Sequence, residues 1–353
     1  LTAVSIAVIH RIKEVDVIRK KRAHFLKLFL TNKIRVAEFG ITNCCTARCT
    51  FCGIWKQKEK VIISKEDGIR AIDKLAELGV AHITMTGGDP LFNPNVFEFV
   101  RHCSAKHIHT SVLNADARLL TEENIIKLKE AGADFLSISV DSYDPEVVDK
   151  SRGISGLLGH IEKGVALAKK HGVKTMASVL IWKGSYDKLD VLFSKIDSMG
   201  FDYISVNYPE VSKSKVYPLG GDSVQLPPEA VIKALEEVIV LKKSGKYRML
   251  NSVSSIKNII NYLDHPSKAK YHCYGGSKVL FIDWFFNIYP CMHLPNPLGS
   301  LWDLNNKDLK MIKCNQCNMS WYRDFSMYFH GLKSLKPIYE SMPTFSHLGK
   351  RKA

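Results

Sequence analysis

No apolar run in this chain of 353 residues approaches the ~20 residues that a membrane-spanning helix requires. Leu1 to Ile9 is apolar but short, and its basic residues follow it, whereas a signal peptide carries them in front. A cytoplasmic seat is therefore expected. The sequence has no low-complexity linker and no internal repeat beyond an alternation of strand-like and helix-like segments. Its 46% hydrophobic and 24% charged content excludes a disordered chain. Nine cysteines, clustered at motif spacings, do not make a secreted disulfide framework and read instead as ligands in a reducing compartment. Acidic residues are in deficit: 35 against 50 Lys and Arg, a formal net charge of +15. Much of the excess lies between Arg11 and Arg35, which includes the run Arg19-Lys20-Lys21-Arg22, and in the tail Lys350-Arg351-Lys352. Nucleic acid, an anionic membrane surface and a phosphorylated substrate all fit that distribution, as does a solvated basic face. No RNA-binding appendage is recognisable, which disfavours nucleic acid.

What the chain does have is a thiol loop. Cys45, Cys49 and Cys52 form C-x3-C-x2-C directly after the apolar stretch Ile34 to Thr42. Thiolates are the standard ligands of iron–sulfur clusters, and three of them leave one iron of a four-iron cluster open. Zinc would call for a further Cys or His pair, and no such His pair follows. Neighbouring Cys44 reads as a small buried residue.

The middle of the chain alternates. Ile34 to Thr42, Ala81 to Thr86, Ile108 to Leu113, Phe135 to Val140, Thr175 to Ile181 and Tyr203 to Val206 are strand-like. Helical patterns follow the first five, over Ser64 to Leu78, Pro94 to Lys106, Thr121 to Ala131, Gly156 to His171 and Asp187 to Met199, with Ser64 and Thr121 as N-caps. The spacing predicts an α/β fold: a partial (β/α)6 barrel whose functional loops lie at the strand C-terminal ends. Residues 1–33 read as a basic amphipathic helical extension, 34–226 as the barrel, 227–270 as linking helices, 271–320 as a small hairpin-plus-helix domain, and 321–353 as an amphipathic helix with a basic tail. The segment Val15 to Leu30 suits either the bottom of the barrel or a membrane interface, with the barrel favoured.

The cysteine triplet, with Phe51 before its third member, resembles the radical S-adenosylmethionine (radical SAM) enzymes. That resemblance implies a [4Fe-4S] cluster on Cys45, Cys49 and Cys52 and SAM on its open iron. It further implies cleavage of SAM to a 5′-deoxyadenosyl radical that abstracts hydrogen, and an external reductant such as flavodoxin or ferredoxin. Gly87-Gly88-Asp89 looks like the family's Gly-Gly-Glu element, which grips the SAM amino group, with Asp89 one methylene shorter. Asn114 stands where the family commonly has Thr-Asn-Gly, Ala115 replacing the glycine. Ser139 and Asp141 resemble the fourth-strand Ser-x-Asp element that approaches the SAM ribose and carboxylate. On their own alternation, Ser137, Ser139 and Asp141 share one side of the strand. Arg152 is a partner for the SAM carboxylate, because a guanidinium matches a carboxylate fork.

A second constellation comprises Cys273, Cys291, Cys314 and Cys317, the first two bracketing a hairpin predicted over Val279 to Tyr289. Four cysteines can close a cluster completely, or hold zinc. The order resembles the twitch subset of SPASM-type auxiliary domains, and implies a second, auxiliary [4Fe-4S] cluster. Leu298-Gly299-Ser300-Leu301 resembles an element that follows the second cysteine there, while Asn287 replaces a usual glycine and can still tolerate a left-handed turn. The reading that results is a radical SAM oxidoreductase acting on a small or lipid-linked metabolite, with the second cluster accepting an electron. Radical SAM modification of RNA or peptide, and a non-enzymatic zinc protein, are the alternatives.

Overall fold

The structure, a computed structural model, describes residues 3–208, 214, 216, 218, 220, 224–265, 272–312, 314 and 319–341, with side chains from residue 16 onward. Cys317 therefore lies outside the described residues.

Six strands, β1 (Arg35–Thr42), β2 (Val80–Gly87), β3 (His109–Asn114), β4 (Phe135–Ser139), β5 (Thr175–Leu180) and β6 (Tyr203–Asn207), pair in parallel in sequence order. The crossovers are helical: α2 (Lys65–Glu77), α3 (Val96–Ala105), α4 (Glu122–Ala131), α5 (Pro145–Arg152) with α6 (Leu157–Lys170), and α7 (Leu189–Met199). Each begins or ends for a local reason. Ser64 accepts from the Asp67 N–H and Thr121 from the Asn124 N–H, which satisfies donors that a first helical turn leaves free. The short α5 escapes sequence reading because its eight residues carry no apolar stripe. It forms because Asp144 accepts from the Glu146 and Val147 N–H groups and Pro145 presets the first turn.

Alternation within the strands separates two faces. On β4, Leu136 and Ile138 are buried toward the helices, while Phe135, Ser137 and Ser139 turn to the other side. Residues of that second face, from all six strands, line one common cavity, so the sheet curves around it.

Beyond β1 the sheet continues into β7 (Val279–Ile282), which pairs with β1 in parallel, then β8 (Asn287–Tyr289) and β9 (Gly299–Ser300), both antiparallel to their neighbours. The hairpin expected near Val279 to Tyr289 is thus present, and it extends the barrel sheet across the boundary drawn at 271. The left-handed residue of its turn is Phe286, at φ 63°, not Asn287. Asp283 explains the shift: its carboxylate collects the N–H groups of Phe285 and Asn287 and the Asn287 side-chain amide, which holds Asn287 extended in β8.

Two further pieces shape the cavity. Helix α1 (Ala3–Leu30) lies across the lower end of the barrel, where buried Lys21 pairs with Asp134 at 2.5 Å and donates to the Gly132 carbonyl. Arg22, Phe25 and Leu26 reach the cavity from it. After α8 (Pro228–Lys243) and α9 (Val253–Asp264), helix α10 (Ser320–Met327) bridges β6 and β1, and α11 (Leu335–Ser341) follows. On α10, Ser320 donates to the Asn207 side chain at 2.8 Å and Tyr322 donates to Glu38 at 2.9 Å. No helix among the described residues is long and apolar enough to cross a membrane.

Candidate active site

The cysteine loop is fixed by backbone contacts from three directions. The Arg48 and Thr50 N–H groups donate to the Arg152 and Ser151 carbonyls at the end of α5, at 2.8 and 2.9 Å. The Gly88 N–H donates to the Thr42 carbonyl and the Asp89 N–H to the Cys44 carbonyl, both at 2.8 Å. Gly87 (φ 121°) and Gly88 have to be glycine for this approach: a Cβ on either would collide with the Thr42 or Cys44 carbonyl oxygen. The two glycines thus seat the thiol loop against β2, and both also face the cavity.

Cys45, Cys49 and Cys52 all open on the mouth of that cavity, none of them in a disulfide. Burial pushes the Cys45 thiol up to about 12 and Cys52 up to about 11, and raises Cys49 as well. Against that trend, backbone N–H groups of Ala47 and Ile54 bond the Cys45 and Cys52 sulfurs, and Arg152 Nη1 donates to Cys49 Sγ at 3.7 Å. Donors gathered around sulfur stabilise thiolate, the form that binds metal. Among the described residues no three His, Cys, Asp or Glu side chains are close enough to share a single ion. Three thiols opening on one mouth, each with a donor near its sulfur, suit thiolate ligation of an iron–sulfur cluster.

The other sequence-predicted residues divide into two groups. Ser139, Asp141 and Arg152 line the cavity beside the thiols. The Arg152 guanidinium is buried, packs over the Phe51 ring at 5.3 Å and bonds the Asp141 carboxylate through Nε, at 2.8 Å, and Nη2. Burial opposes its charge, but Asp141 and the Cys49 thiol outweigh this and its pKa lies above the ordinary value. Asp141 also accepts from the Leu180 N–H at 3.1 Å.

Asp89 and Asn114 are not on the cavity wall. The Asp89 carboxylate is fully buried and accepts from the Leu91, Ala115 and Asp116 N–H groups at 2.8–3.0 Å and from the Asn114 amide at 3.0 Å. In this arrangement the carboxylate ties the loop after β2 to the loop after β3. Burial nonetheless raises its pKa to about 6.

In the second group of thiols, Cys273 and Cys291 are buried, Cys314 is half-buried, and the charges of Cys273 and Cys314 bear on Cys291. Burial pushes Cys291 up to about 12, while the His293 and Leu294 N–H groups bond its sulfur, and the Gly275 N–H points at Cys273 Sγ at 3.3 Å. The donor set suits thiolate in the same way as the first.

The cavity has a volume of about 880 Å³ and runs from the thiol mouth down the barrel to α1. Sequence reading missed its carboxyls. Glu38 faces it from β1, and Asp324 from α10. Glu38 alone among the β1 side chains is acidic, on the same strand face as Val36 and Gly40, and that lone acid in an apolar strand was the available signal. Burial raises Glu38 to about 8, with the Tyr322 hydroxyl pulling the other way, and raises Asp324 to about 6 against its bonds from Ser255 and Asn251. His82, also on the wall, is held down to about 4 by burial and is neutral at pH 7.

The fold and the thiol mouth agree with comparisons to known proteins. Residues 39–191 match the family model described as Radical SAM superfamily. The chain is 24% identical over 289 residues to an AdoMet-dependent heme synthase of Methanosarcina barkeri, covering 77% of this chain and 80% of that one. It is 23% identical to the antilisterial bacteriocin subtilosin biosynthesis protein AlbA of Bacillus subtilis, covering 73% of this chain and 55% of AlbA. Streptococcus suis SuiB superposes with a TM-score of 0.63 over 82% of this chain and 69% of SuiB, at 16% identity, a likeness of fold. The cysteine triplet, on the loop after the first of six parallel strands, lies inside the matched residues 39–191, and this region of the chain is similar to the radical SAM superfamily.

Proposed function

We propose that Cys45, Cys49 and Cys52 hold a [4Fe-4S] cluster at the mouth of the barrel cavity, and that the enzyme transforms a small or lipid-linked metabolite enclosed beneath it. When bound there, the cluster and SAM supply a 5′-deoxyadenosyl radical that abstracts hydrogen from the substrate. The observation that carries the reading is the continuity of the thiol mouth with a cavity of about 880 Å³, a volume suited to a small molecule beside SAM. Gly87 and Gly88 offer carbonyls at that mouth, Ser139 a hydroxyl, and the Arg152–Asp141 pair a charged wall. Asn114 and Asp89 act behind that wall by holding the loops in place. We assign Cys273, Cys291, Cys314 and Cys317 to an auxiliary [4Fe-4S] cluster that takes an electron from the substrate, since four thiolates leave no iron open. The reductant, a flavodoxin or ferredoxin, belongs to the same reading.

Anaerobically reconstituted enzyme should carry about two four-iron clusters. Replacing Cys45, Cys49 and Cys52 together with Ala should abolish deoxyadenosine formation from SAM and leave about one cluster. Deoxyadenosine from that variant refutes the assignment. A peptide substrate is the second reading, supported by similarity to AlbA and to a PqqA peptide cyclase of Granulibacter bethesdensis. Under it, deoxyadenosine formation rises above background with short peptides and not with small metabolites.

A further inference from the structure

Glu38 is a buried carboxyl and Asp324 a half-buried one, both face the barrel interior, and among the described residues no lysine or arginine forms an ion pair with either, although the charges of Lys242 and Arg323 act on Asp324 at longer range. Their recorded partners are neutral: the Tyr322 hydroxyl for Glu38, and the Asn251 amide (2.7 Å) and Ser255 hydroxyl for Asp324. A buried carboxyl without a counter-charge is costly, and so is a buried hydroxyl without a partner. The same cavity contains two such hydroxyls. Ser111 Oγ on β3 and the Tyr208 hydroxyl just past β6 are both buried, both on the wall, and both without a hydrogen-bond partner among the described residues. Tyr208 lies within reach of the Asp324 charge.

The cations of the wall do not complete these groups. Arg152 is committed to Asp141 at the mouth, and Arg22 is exposed on α1 at the opposite end. Glu38 lies four residues before the end of β1, about 13 Å below the thiol loop at ~3.3 Å per residue. It is thus too deep to serve the SAM amino group held at the mouth. An anionic group placed at this depth would meet two carboxyls and no wall cation, since Lys242 and Arg323 act on Asp324 from outside the cavity lining, whereas an ammonium would supply the counter-charge that Glu38 lacks and give the two hydroxyls a partner.

We propose that Glu38 and Asp324, with the hydroxyls of Ser111 and Tyr208, form a substrate subsite inside the barrel that takes a positively charged amine. The inference rests on the barrel interior being the substrate chamber and narrows the substrate class to amine-bearing molecules. The remaining wall, with Phe135, Met176, Leu180 and Trp321, packs the carbon skeleton that carries the amine.

Isothermal titration calorimetry of the anaerobically reconstituted full chain tests this with n-hexylammonium, 1-hexanol, hexanoate and inorganic phosphate, each with and without saturating SAM. Hexylammonium should bind at one site in the presence of SAM, with 1-hexanol weaker and the two anions at least about ten-fold weaker, as loss of a charge-assisted bond implies. Glu38→Gln and Asp324→Asn, which keep shape and acceptor oxygens, should each weaken the amine at least about ten-fold. Should either variant fail to fold, Ser111→Ala serves in its place, with a loss of roughly five-fold. Anion binding as tight as the amine, displacement of the amine by SAM, or wild-type affinity in these variants overturns the proposal. Deoxyadenosine formation is read on the same preparation. An enzyme that makes deoxyadenosine but ignores the amine refutes the subsite alone, and one that binds the amine but never cleaves SAM refutes the radical reading alone.

Discussion

Replacing Asp89 with Ala distinguishes a loop anchor from a ligand contact. The carboxylate satisfies three backbone N–H groups, from Leu91, Ala115 and Asp116, and the Asn114 amide, all in fully or largely buried positions. Orphaning each costs about 1–3 kcal/mol. Part of this is offset, because burial holds the Asp89 carboxyl near pKa 6 and removing a disfavoured charge returns up to about 3 kcal/mol. Four such donors amount to about 4–12 kcal/mol, so the net loss should be roughly 1–9 kcal/mol. Urea unfolding of the metal-free chain at pH 7.5, followed by far-ultraviolet circular dichroism, reads it from the midpoint at constant slope. SAM binding to reconstituted enzyme should fall only as far as the loop loosens. A variant with wild-type stability and no SAM affinity would refute the anchoring argument, since it would mean that the carboxylate meets the ligand and not the loops.

Gly88→Ala drives a Cβ into the Cys44 carbonyl, so the thiol loop has to move, and iron bound after reconstitution should fall toward one cluster per chain while the fold persists. Two full clusters in that variant would contradict the seating role of the glycine. Lys21→Ala leaves Asp134 without its 2.5 Å partner and should cost about 2–4 kcal/mol at pH 7. Burial would raise the Asp134 pKa, but His109 and Lys21 hold it down to about 2, against ~3.9 in an unfolded chain, so this stabilisation is present above pH ~4 and fades as pH falls toward 2. Thermal melts of wild type and Lys21→Ala should converge over that acid window, and a gap that stays constant would refute the ion-pair account.

How much of this was legible follows the physics of each signal. Strand alternation and caps are local, so the six strands appeared in the sequence to within a residue or so, and Ser64 and Thr121 cap as expected. The thiol loop was legible because its three cysteines lie within eight residues. Side-chain direction was harder. Ser139 and Asp141 were placed on the cavity side by period two alone, whereas Asp89 sits in the loop after β2 and Asn114 is the last residue of β3, where periodicity no longer says which way a side chain turns. Glu38 and Asp324 needed a contact between residues 284 apart, Tyr322 with Glu38, before either could be seen to share a wall.

That contact links α10 to the second thiol group. Tyr322 bonds Glu38 in the cavity through its hydroxyl, and the charge of Cys291 and the backbone of Met292 bear on the same hydroxyl. Tyr322→Phe isolates the hydroxyl. Burial holds Glu38 at about 8 when folded, against ~4.3 unfolded, so the stability tied to its proton is present below pH ~4.3 and lost as pH rises through 8. At pH 6.5 Glu38 is neutral in both proteins, and the variant should lose only about 1 kcal/mol, one neutral hydrogen bond. At pH 9 the carboxylate of wild type keeps a charge-assisted bond that the variant lacks, and the loss should widen to about 2–3 kcal/mol. Urea midpoints at the two pH values measure the difference. A gap independent of pH would mean that Glu38 does not rely on Tyr322 for its charge. A widening gap would establish α10 as the element that tunes the chamber from the side of the second thiol group.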